Sequence, residues 1–352
     1  MLSKYLRAEV EAAQAYGVVK AEPGIKLDQN ECPWDMPVGL KVSITEKLIK
    51  TDFNRYPLED VLEFKKQLAK LNNVFTDQVA IANGSNVLIQ ALTLLIKPHS
   101  KVLIMEPTFP LYRLEAELFG HKVVAVPLSE DFRLQPELVL AAIKKENPAL
   151  MFIANPNAPT GNIFAKEQLY RIIKAAGCLV VVDEAYYPFS GETLTDWMGE
   201  FPQLVILRTL SKAYGLAGVR VGYALGDADV IFQLNKILLP FNLSRVAIVI
   251  AGEVLAHDDY VGRQVKLVLK ERQRVFEGLQ KIPVVTPFPS DSNYILFRCP
   301  NSAWLLRELK KHQIILRDVA DDNSLKNCAR VAIGTPEEND AFLEAVTELC
   351  KN

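Results

Sequence analysis

Four side chains that can do chemistry follow apolar runs of the sequence. Asp183 ends the run Leu179-Val-Val-Val, and Tyr186 comes three residues later. Lys212 follows a second apolar stretch, and Arg220 lies eight residues beyond it. Ligands bind at the carboxyl ends of the strands in an open parallel sheet, so these groups are expected to converge on one crevice. An acid, a lysine, a tyrosine and an arginine suit an organic cofactor that has a ring nitrogen, an aldehyde and a phosphate.

Asp183 and Lys212 each allow other interpretations. A carboxylate that ends an apolar run is partly buried, which is costly unless a cation, such as a ring N–H, lies beside it. Asp183 also fits a structural salt bridge, or the Mg²⁺-binding acid of a phosphate-loop enzyme, although the chain has no GxxxxGK[ST] motif. Lys212 alone is typical of a solvated lysine. Beside Arg220, at a strand end, it can have a lowered pKa and act as an amine nucleophile.

The run Asn83-Gly-Ser-Asn86 lies between a predicted strand and a predicted helix. Glycine allows a ligand close to the backbone, and the unpaired N–H groups of a helix start attract anions. The same run also fits a plain turn capped by Ser85. An anion site gains weight from hydroxyl and guanidinium groups that can address one phosphate, namely those of Thr209, Ser211 and Arg220.

Two further segments follow predicted strands. Phe109, in Glu106-Pro-Thr-Phe-Pro, offers a flat face for stacking, and a core phenylalanine is the alternative. Asn155-Pro-Asn-Ala-Pro-Thr-Gly161 has two prolines and a glycine, which fix a rigid turn. A rigid turn at this edge of the sheet favours the positioning of a polar side chain.

The elements that must position these residues alternate along the middle of the chain. Apolar runs and helical patterns follow each other as in βαβ units, which predicts an α/β fold around a mostly parallel sheet. Helices are predicted over 58–71, 85–96 and 166–176. The predicted strands span residues 79–82, 102–105, 150–154, 179–182, 204–207 and 221–225.

After Pro240 the pattern predicts a smaller α+β domain. A long helix is expected over 244–281 and a final helix over 336–351, with strands at 284–285, 294–297, 314–316 and 330–333. We therefore predict an N-terminal arm of residues 1–30, a large domain of residues 31–240 and a small domain of residues 241–352 with part of the N-terminal segment. The arm is expected to carry a short helix that packs on the small domain or on a partner subunit.

The composition argues against several classes of protein. With 352 residues, 49% of them hydrophobic, the chain can bury a large core. A formal net charge of −2 gives no reason to expect nucleic acid or a membrane surface, and the apolar runs are too short to span a bilayer. Five scattered cysteines, four histidines without ligand spacing and an acid early in the N-terminal residues predict a cytoplasmic protein without a metal.

Taken together, these residues resemble the fold-type I pyridoxal-phosphate aminotransferases, the superfamily of aspartate aminotransferase. Within it the chain is most similar to the histidinol-phosphate branch, to which Arg317 and Arg330 point by their spacing. The resemblance covers nearly the whole chain, and the block from Thr209 to Arg220 is highly specific for the superfamily. The matching segments are Leu27-Asp-Gln-Asn-Glu31, Asn54-Arg-Tyr-Pro57, Asn155–Gly161, Asp183-Glu-Ala-Tyr186, Thr209-Leu-Ser-Lys-Ala-Tyr-Gly-Leu-Ala-Gly-Val-Arg220, Ile315-Leu-Arg-Asp318 and Arg330-Val-Ala-Ile-Gly-Thr335.

The resemblance implies a seven-stranded sheet in the large domain and pyridoxal 5'-phosphate as the cofactor. Lys212 holds the cofactor covalently, Asp183 keeps its ring nitrogen protonated, and Tyr186 contacts its 3-oxygen while Phe109 stacks on the ring. In a homodimer with shared active sites, Tyr56 reaches the cofactor phosphate from the neighbouring subunit. The residues implied to bind that phosphate within one subunit are Ser85, Asn86, Thr209, Ser211 and Arg220.

The substrate side follows from the same resemblance. Arg330 and Arg317 bind the phosphate of histidinol phosphate, and Arg330 takes the α-carboxylate when glutamate enters. Asn30 lies near the substrate. One departure is Ala158, because the family has an asparagine directly before Pro-Thr-Gly that bonds the ring's 3-oxygen. Asn157 is expected to take over that bond.

The implied reaction is transamination between L-histidinol phosphate and 2-oxoglutarate, a ping-pong step of histidine biosynthesis that yields imidazole-acetol phosphate and glutamate. An aminotransferase for aromatic or other amino acids shares all the cofactor residues, and a threonine-phosphate decarboxylase uses similar arginines. The segment Glu31-Cys-Pro-Trp-Asp-Met36 departs from the usual Glu-Asn-Pro and leaves substrate selectivity open. A regulatory module on a degenerate fold predicts loss of the lysine or the acid, and both are present.

Overall fold

Two β-sheets organise the protein in the computed structural model, which describes residues 3–13, 23–320 and 323–351. Strands β2 to β8 form one sheet, and β1 joins β9 to β12 in the other. In chain order the strands are β1 Ile25–Leu27, β2 Val79–Ala82, β3 Lys101–Glu106, β4 Lys122–Pro127, β5 Leu150–Ala154, β6 Leu179–Asp183, β7 Leu204–Thr209, β8 Gly222–Gly226, β9 Thr286–Pro287, β10 Tyr294–Arg298, β11 Ile314–Asp318 and β12 Cys328–Ala332.

The helices fall between these strands and cover both sheets. In chain order they are α1 Ala8–Ala12, α2 Val38–Ile49, α3 Leu58–Leu71, α4 Ser85–Leu95, α5 Leu111–Leu118, α6 Pro136–Glu146, α7 Lys166–Ala175, α8 Tyr187–Ser190, α9 Ala228–Ile237, α10 Arg245–Leu255, α11 Asp258–Gln280, α12 Ser302–Lys311 and α13 Pro336–Leu349. Over the part of the chain that the structure describes, none of them combines the length and the apolar character needed to cross a bilayer.

The large sheet has the strand order β2-β8-β7-β6-β5-β3-β4. Strands β4, β3, β5, β6 and β7 are mutually parallel, whereas β8 runs antiparallel to both of its neighbours, β7 and β2. The prediction of an α/β fold around a mostly parallel seven-stranded sheet is therefore confirmed. Because β8 is reversed, its first residue lies at the same edge as the last residues of the parallel strands. This edge carries the candidate site.

The central strands of the large sheet are mostly apolar because both faces of the sheet are covered there. Along β6, Val180 and Val182 face one core, while Val181 faces the other. Side chains of α4, α5 and α9 cover the second face. The first face packs against α3, α6 and α7, and its core continues into the small sheet. The strand ends are therefore held rigidly from both sides.

The small sheet has the order β1-β11-β12-β10-β9, and β1 is parallel to β11. Its core includes Phe297 of β10, whose ring centre lies 6.3 Å from that of Phe342 on α13. A capping box begins α13: the Thr335 hydroxyl accepts from the Glu338 N–H, and the Thr335 N–H donates to the Glu338 carboxylate at 2.8 Å. The N-terminal strand thus completes a sheet that is otherwise built from the C-terminal third of the chain.

The element boundaries differ from the predicted ones in three places. The single helix predicted over 244–281 is wrong, because the chain leaves the helical conformation at His257 and restarts at Asp258 as α11. The strand predicted at 284–285 instead forms at 286–287, as β9. The edge strand β4 was not predicted, although its sequence contains four consecutive apolar residues, Val123-Val-Ala-Val126.

The N-terminal arm only partly matches its prediction. The expected short helix exists as α1, but it packs against α5 of the large sheet rather than on the small sheet. Arg7 donates to the carbonyl oxygen of Leu118 at 2.9 Å, and its guanidinium lies 6.0 Å from the ring centre of Phe119. This contact satisfies a carbonyl that a helix end leaves unpaired. In the rest of the predicted arm, Ile25–Leu27 forms β1 of the small sheet, and residues 1–2 and 14–22 lie outside the described residues.

Candidate active site

Asp183 and Lys212 reach one pocket at the edge of the large sheet. Asp183 ends β6, Lys212 follows the end of β7 by three residues, and the two strands are parallel neighbours. The Lys212 amine lies 5.8 Å from the ring centre of Tyr186, three residues beyond Asp183. The central expectation from the sequence, an acid and a lysine brought together from separate strands, therefore holds in the structure.

The Asp183 carboxylate is buried and held by two donors. The Tyr112 hydroxyl donates to Oδ2 at 2.9 Å, and the Ala185 N–H donates to Oδ1 at 3.0 Å. Burial raises the pKa of Asp183 to about 6, because the hydrogen bonds and the charge of Lys212 compensate only part of the lost hydration. A cation placed against this carboxylate completes the compensation, and a protonated ring nitrogen is such a cation.

At the end of β6 the buried ion pair is made by Glu184, the residue after Asp183. Glu184 binds Arg208 at 2.8 Å with both side chains buried, and the guanidinium lies 3.6 Å from the ring centre of Tyr187. Arg208 also donates to the Thr193 hydroxyl at 2.7 Å. The structural salt bridge considered for Asp183 is therefore made by Glu184, which leaves the carboxylate of Asp183 available to a ligand.

The Lys212 side chain carries an amine whose protonation is weakened. Burial, followed by the positive charges of Arg330 and Arg220, lowers the pKa of Lys212 to about 8. The amine donates to the backbone carbonyl of Gln29 at 2.8 Å. A lysine with a lowered pKa has a neutral, nucleophilic fraction near neutral pH, which suits covalent attachment to an aldehyde.

A cup suited to phosphate forms where α4 begins beside β8. Gly84 precedes the helix at φ +83°, and a Cβ on it would lie 2.5 Å from Nη2 of Arg220. A Cβ on Gly222 would lie 2.2 Å from the backbone nitrogen of Ser85. Both glycines are thus required for the close approach of strand, helix and guanidinium. The free N–H groups of the helix start and the guanidinium together favour a bound anion.

Hydroxyl groups line the same cup. Thr209 donates to the Ser211 hydroxyl at 2.9 Å, and Arg220 Nη1 lies 3.4 Å from that hydroxyl. Ser85 and Asn86 are the first two residues of α4, half-buried and exposed respectively. The structure therefore brings all five predicted phosphate ligands to one place, and their donors fit a cofactor phosphate.

Tyr186 and Phe109 lie against the Asp183 pocket. The Tyr186 hydroxyl accepts from Asn30 Nδ2 at 2.9 Å, so Asn30 lies in the site, as predicted. The half-buried Phe109 meets the Tyr112 ring edge-on at 5.6 Å between centres. Because Tyr112 bonds Asp183, the Phe109 ring lies beside the position that a cofactor ring bonded to that carboxylate would take.

Asn157 does not have the environment that the sequence predicted. Its side-chain nitrogen donates to the Pro107 carbonyl at 2.9 Å and to the Thr160 hydroxyl at 2.8 Å, and its side-chain oxygen accepts from Thr108 at 3.1 Å. The amide thus joins its own turn to the segment after β3. These bonds leave no free N–H on Asn157 for the cofactor's 3-oxygen, so we correct that expectation, and the contact of Tyr186 with this oxygen stays a prediction.

Arg330 and Arg317 form a cationic face on the small sheet. They lie directly opposite each other in the antiparallel pair of β11 and β12, and opposite residues of such a pair share a face. Arg330 donates to the Asp28 carbonyl at 2.8 Å, and its guanidinium lies 5.1 Å from the ring centre of Tyr294. Two like charges facing each other cost free energy, and an anion bound between them removes that cost.

Tyr56 is not brought to this subunit's own pocket. It is 73% exposed, and its ring stacks on Phe241 with centres 4.5 Å apart. Arg245 fixes this loop by donating to the Tyr56 carbonyl at 3.2 Å and pairing with Asp60 at 2.9 Å. An exposed aromatic side chain on a braced loop is available to another molecule.

Two parts of the site were missed by the sequence analysis. Tyr112 was given no role from the sequence; in the structure it lies on the buried face of α5 and stacks on Phe152 at 4.7 Å. Asp28 and Gln29 contribute through their backbone carbonyls, which have no signature in the sequence. Only the polar run Asp28-Gln-Asn30 after a short apolar strand gave a signal, and we had assigned a role only to Asn30.

This geometry defines an aminotransferase of the pyridoxal-phosphate type, and comparison with known proteins agrees. The family model of aminotransferase class I and II matches residues 22–346, and the chain belongs to this family. The protein is thus a pyridoxal-phosphate-dependent aminotransferase, and the Asp183 carboxylate, the Lys212 amine and the cup above fit that cofactor.

Two similar sequences and one similar crystal structure belong to histidinol-phosphate aminotransferases. The chain is 37% identical over 348 residues to a histidinol-phosphate aminotransferase of Chromobacterium violaceum, with 98% of each chain covered. It is 36% identical over 346 residues to one of Aquifex aeolicus, with 97% of each covered. The crystal structure of a histidinol-phosphate aminotransferase of Sinorhizobium meliloti with pyridoxal-5'-phosphate superposes with a TM-score of 0.88 at 24% identity, covering 98% of this chain and 97% of that one. The aspartate aminotransferase-like fold is confirmed.

Proposed function

We propose that the protein transfers an amino group between L-histidinol phosphate and 2-oxoglutarate, a step of histidine biosynthesis. The observation that carries this proposal is the Arg317–Arg330 pair, whose two residues lie opposite each other on one face of the small sheet, with the charge of Arg330 acting on Lys212. Arginine binds phosphate and carboxylate through paired hydrogen bonds, so this face suits both substrates. The full-length similarity to histidinol-phosphate aminotransferases supports the same assignment.

Each residue of the pocket has a separate role in the proposed reaction. When bound, pyridoxal 5'-phosphate supplies an electron sink for the substrate's Cα. Asp183 would place a negative charge against the ring nitrogen, and the Tyr186 hydroxyl would contact the 3-oxygen. Lys212 would hold the cofactor, and its amine is the group that would carry the proton between the substrate's Cα and the cofactor's aldehyde carbon. Its lowered pKa keeps that amine able to accept a proton near neutral pH.

The arginines orient the substrates in turn. In our proposal, Arg330 and Arg317 bind the phosphate of the amino donor, which carries no carboxylate. In the other half of the ping-pong cycle Arg330 binds the α-carboxylate of glutamate. The Arg330 guanidinium rests on the Tyr294 ring, which keeps its plane fixed for paired hydrogen bonds.

A panel of amino donors tests this function. Each purified donor is mixed with the cofactor-loaded enzyme, and the conversion of the cofactor to its amine form is followed by absorbance. Histidinol phosphate should react with a kcat/KM well above those of phenylalanine and other amino acids. An equal or faster reaction with phenylalanine would overturn the proposal in favour of a general or aromatic aminotransferase, and CO₂ release without a keto product would indicate a decarboxylase.

Two arginine variants sharpen the same test. Arg317→Met should lower kcat/KM for histidinol phosphate by about 10- to 100-fold, the loss expected for hydrogen bonds between charged groups, and should spare the glutamate half-reaction. Arg330→Met should impair both half-reactions. If Arg317→Met left kcat/KM for histidinol phosphate unchanged, the substrate phosphate would not bind between the guanidinium groups of Arg317 and Arg330.

We further propose a homodimer in which Tyr56 completes the partner's phosphate cup. The exposed apolar side chains around this loop support a second copy as the occupant: Ile49 is 78% exposed, Phe53 67% and Leu58 68%. A mixture of Tyr56→Ala and Lys212→Ala subunits contains mixed dimers with one fully intact site. Activity lost in each separate variant should therefore return partly on mixing. A monomer with full activity, or no recovery on mixing, contradicts shared sites.

We retain two further expectations as proposals. The arm, large and small domains, with limits at residues 30 and 240, are supported by the two sheets, which have separate strand sets. A cytoplasmic location is supported by the five cysteines, all of which are free thiols.

A further inference from the structure

Three consecutive residues after β1 contact three different groups of the site. The Asp28 carbonyl accepts from Arg330 at 2.8 Å, and the Gln29 carbonyl accepts from the Lys212 amine at 2.8 Å. The Asn30 side chain donates to the Tyr186 hydroxyl at 2.9 Å. We call residues 28–30 the strap. The strap touches both the cofactor lysine and the substrate arginine, so its position affects both.

The strap is not held by the sheet from which it emerges. The pairing of β1 with β11 ends at Leu27, and Asn30 adopts φ +54°, a left-handed conformation that is unfavourable for a residue with a side chain. Such a conformation persists where the surroundings fix it. An anchor at Asn30 is therefore needed to keep the three contacts in place.

Asn293 provides this anchor from the small sheet. Its side-chain nitrogen donates to the Asn30 carbonyl at 3.0 Å, and its own backbone carbonyl accepts from the Ile333 N–H at 2.9 Å. The side chain is 1% exposed, so solvent cannot replace the bond it makes. The next residue, Tyr294, donates to the Asn157 carbonyl at 2.7 Å and lies beneath Arg330. The start of β10 thus braces both the strap and the Asn157 turn.

We propose that Asn293 is a positioning residue for the amino-transfer reaction, because its hydrogen bond to Asn30 fixes the strap that orients Lys212, Tyr186 and Arg330. Asn293 touches neither cofactor nor substrate in this assignment. Its effect passes through the strap, so it reaches the cofactor and substrate sides together. The inference rests on the roles proposed above for those three residues.

The first test measures cofactor capture without any amino donor. Apoenzyme of Asn293→Ala is mixed with pyridoxal 5'-phosphate, and the rate of covalent attachment is followed by absorbance from pH 6 to 9. We expect a rate about fivefold to tenfold below that of the unchanged protein, the effect of one buried hydrogen bond. The midpoint of the pH profile should also move away from its value near pH 8, because Lys212 loses its fixed place against Gln29.

Asn339→Ala is the matched control. Asn339 is 0% exposed, and its side-chain nitrogen donates to the Gly334 carbonyl at 3.0 Å and to Glu271 at 2.9 Å, without contact to the strap. Asn339→Ala therefore measures the general effect of removing a buried amide side chain near the small sheet. Equal capture rates and equal pH midpoints in Asn293→Ala and Asn339→Ala would show a purely structural role and overturn the proposal.

A second measurement separates this inference from the proposed function. In steady state with whichever donor the panel identifies, Asn293→Ala should raise KM and lower kcat, since the strap orients both Arg330 and Lys212. If the donor is not histidinol phosphate, the proposed function is wrong. The rate of cofactor attachment still tests the role of Asn293, because that experiment uses no amino donor. If Asn293→Ala does not fold, Asn293→Ser, which keeps a shorter donor, takes its place with the same expected and contrary outcomes.

Discussion

Replacing Lys212 with alanine should abolish covalent attachment of the cofactor and lower the amino-transfer rate by about 10⁴-fold or more. The side chain supplies both the attachment and the proton transfer, so one substitution removes two contributions. Mass spectrometry of protein reduced with borohydride in the presence of cofactor measures attachment directly. The unchanged protein should gain the mass of the cofactor, and Lys212→Ala should not.

Lys212→Arg is the control for this result. It keeps the positive charge near Asp183 and a donor for the Gln29 carbonyl, but a guanidinium remains protonated and is not a nucleophile. Both variants should therefore lack attachment. In the unchanged apoenzyme, the neutral fraction of the amine grows about tenfold per pH unit below its pKa of about 8. Capture that does not change between pH 6 and 8, or attachment in either variant, would contradict the assigned role.

Replacing Asp183 with asparagine should lower the amino-transfer rate by about 10²- to 10³-fold, the usual loss on removing one preorganised charge. Asparagine has nearly the same shape and keeps an acceptor for the Tyr112 hydroxyl, so the site geometry persists. What disappears is the charge that holds a proton on the ring nitrogen. Steady-state kinetics and the cofactor absorbance of Asp183→Asn measure the two consequences.

Asp183→Asn, which should lower the activity, should raise the free energy of unfolding of the apoenzyme at pH 8. Because burial raises the pKa of Asp183 from its ordinary value of 3.8 to about 6, the folded chain binds this proton more tightly than the unfolded chain. Stability from this group is present below pH 4 and is lost as pH rises through 6, by about 3 kcal/mol. At pH 8, apo Asp183→Asn should therefore unfold at a higher denaturant concentration than the unchanged apoenzyme.

Tyr112→Phe separates the charge from its hydrogen bond. This variant keeps the Asp183 carboxylate and removes only the hydroxyl donor, so its activity should fall far less than that of Asp183→Asn.

Binding of the cofactor should also stabilise the unchanged protein more than it stabilises Asp183→Asn, since only the carboxylate gains a cationic partner. An Asp183→Asn enzyme with full activity, or an apo variant less stable at pH 8, would refute this account of the buried acid.

The sequence was most informative where function depends on a side chain at a strand end. Asp183, Lys212 and the phosphate cup could be located because a buried parallel strand is a continuous apolar run, and its end is marked by the first polar residue. The reversal of β8 could not be deduced in this way. It nevertheless brings Arg220 to the same edge, because that residue precedes the strand instead of following it.

The sequence was least informative where a contact depends on packing or on the backbone. Tyr112 occupies an ordinary apolar position of α5, so its bond to Asp183 becomes visible only in three dimensions. Asn157 was assigned by its nearness to Ala158, but the amide's bonds to Pro107 and Thr160 decide its role. The break between α10 and α11 has no proline to mark it, and the polar run His257-Asp-Asp259 is too short to end a predicted helix by itself.

The cup at Gly84 and Gly222 and the arginine face of β11 and β12 are built on different sheets. Any side chain at either glycine collides with its surroundings, so the cup tolerates little change. The arginine face makes no such demand on the backbone. Engineers who wish to evolve a new amino-donor preference can therefore concentrate their libraries on positions around 317, since the charge of Arg330 also acts on Lys212, and leave the phosphate cup unchanged.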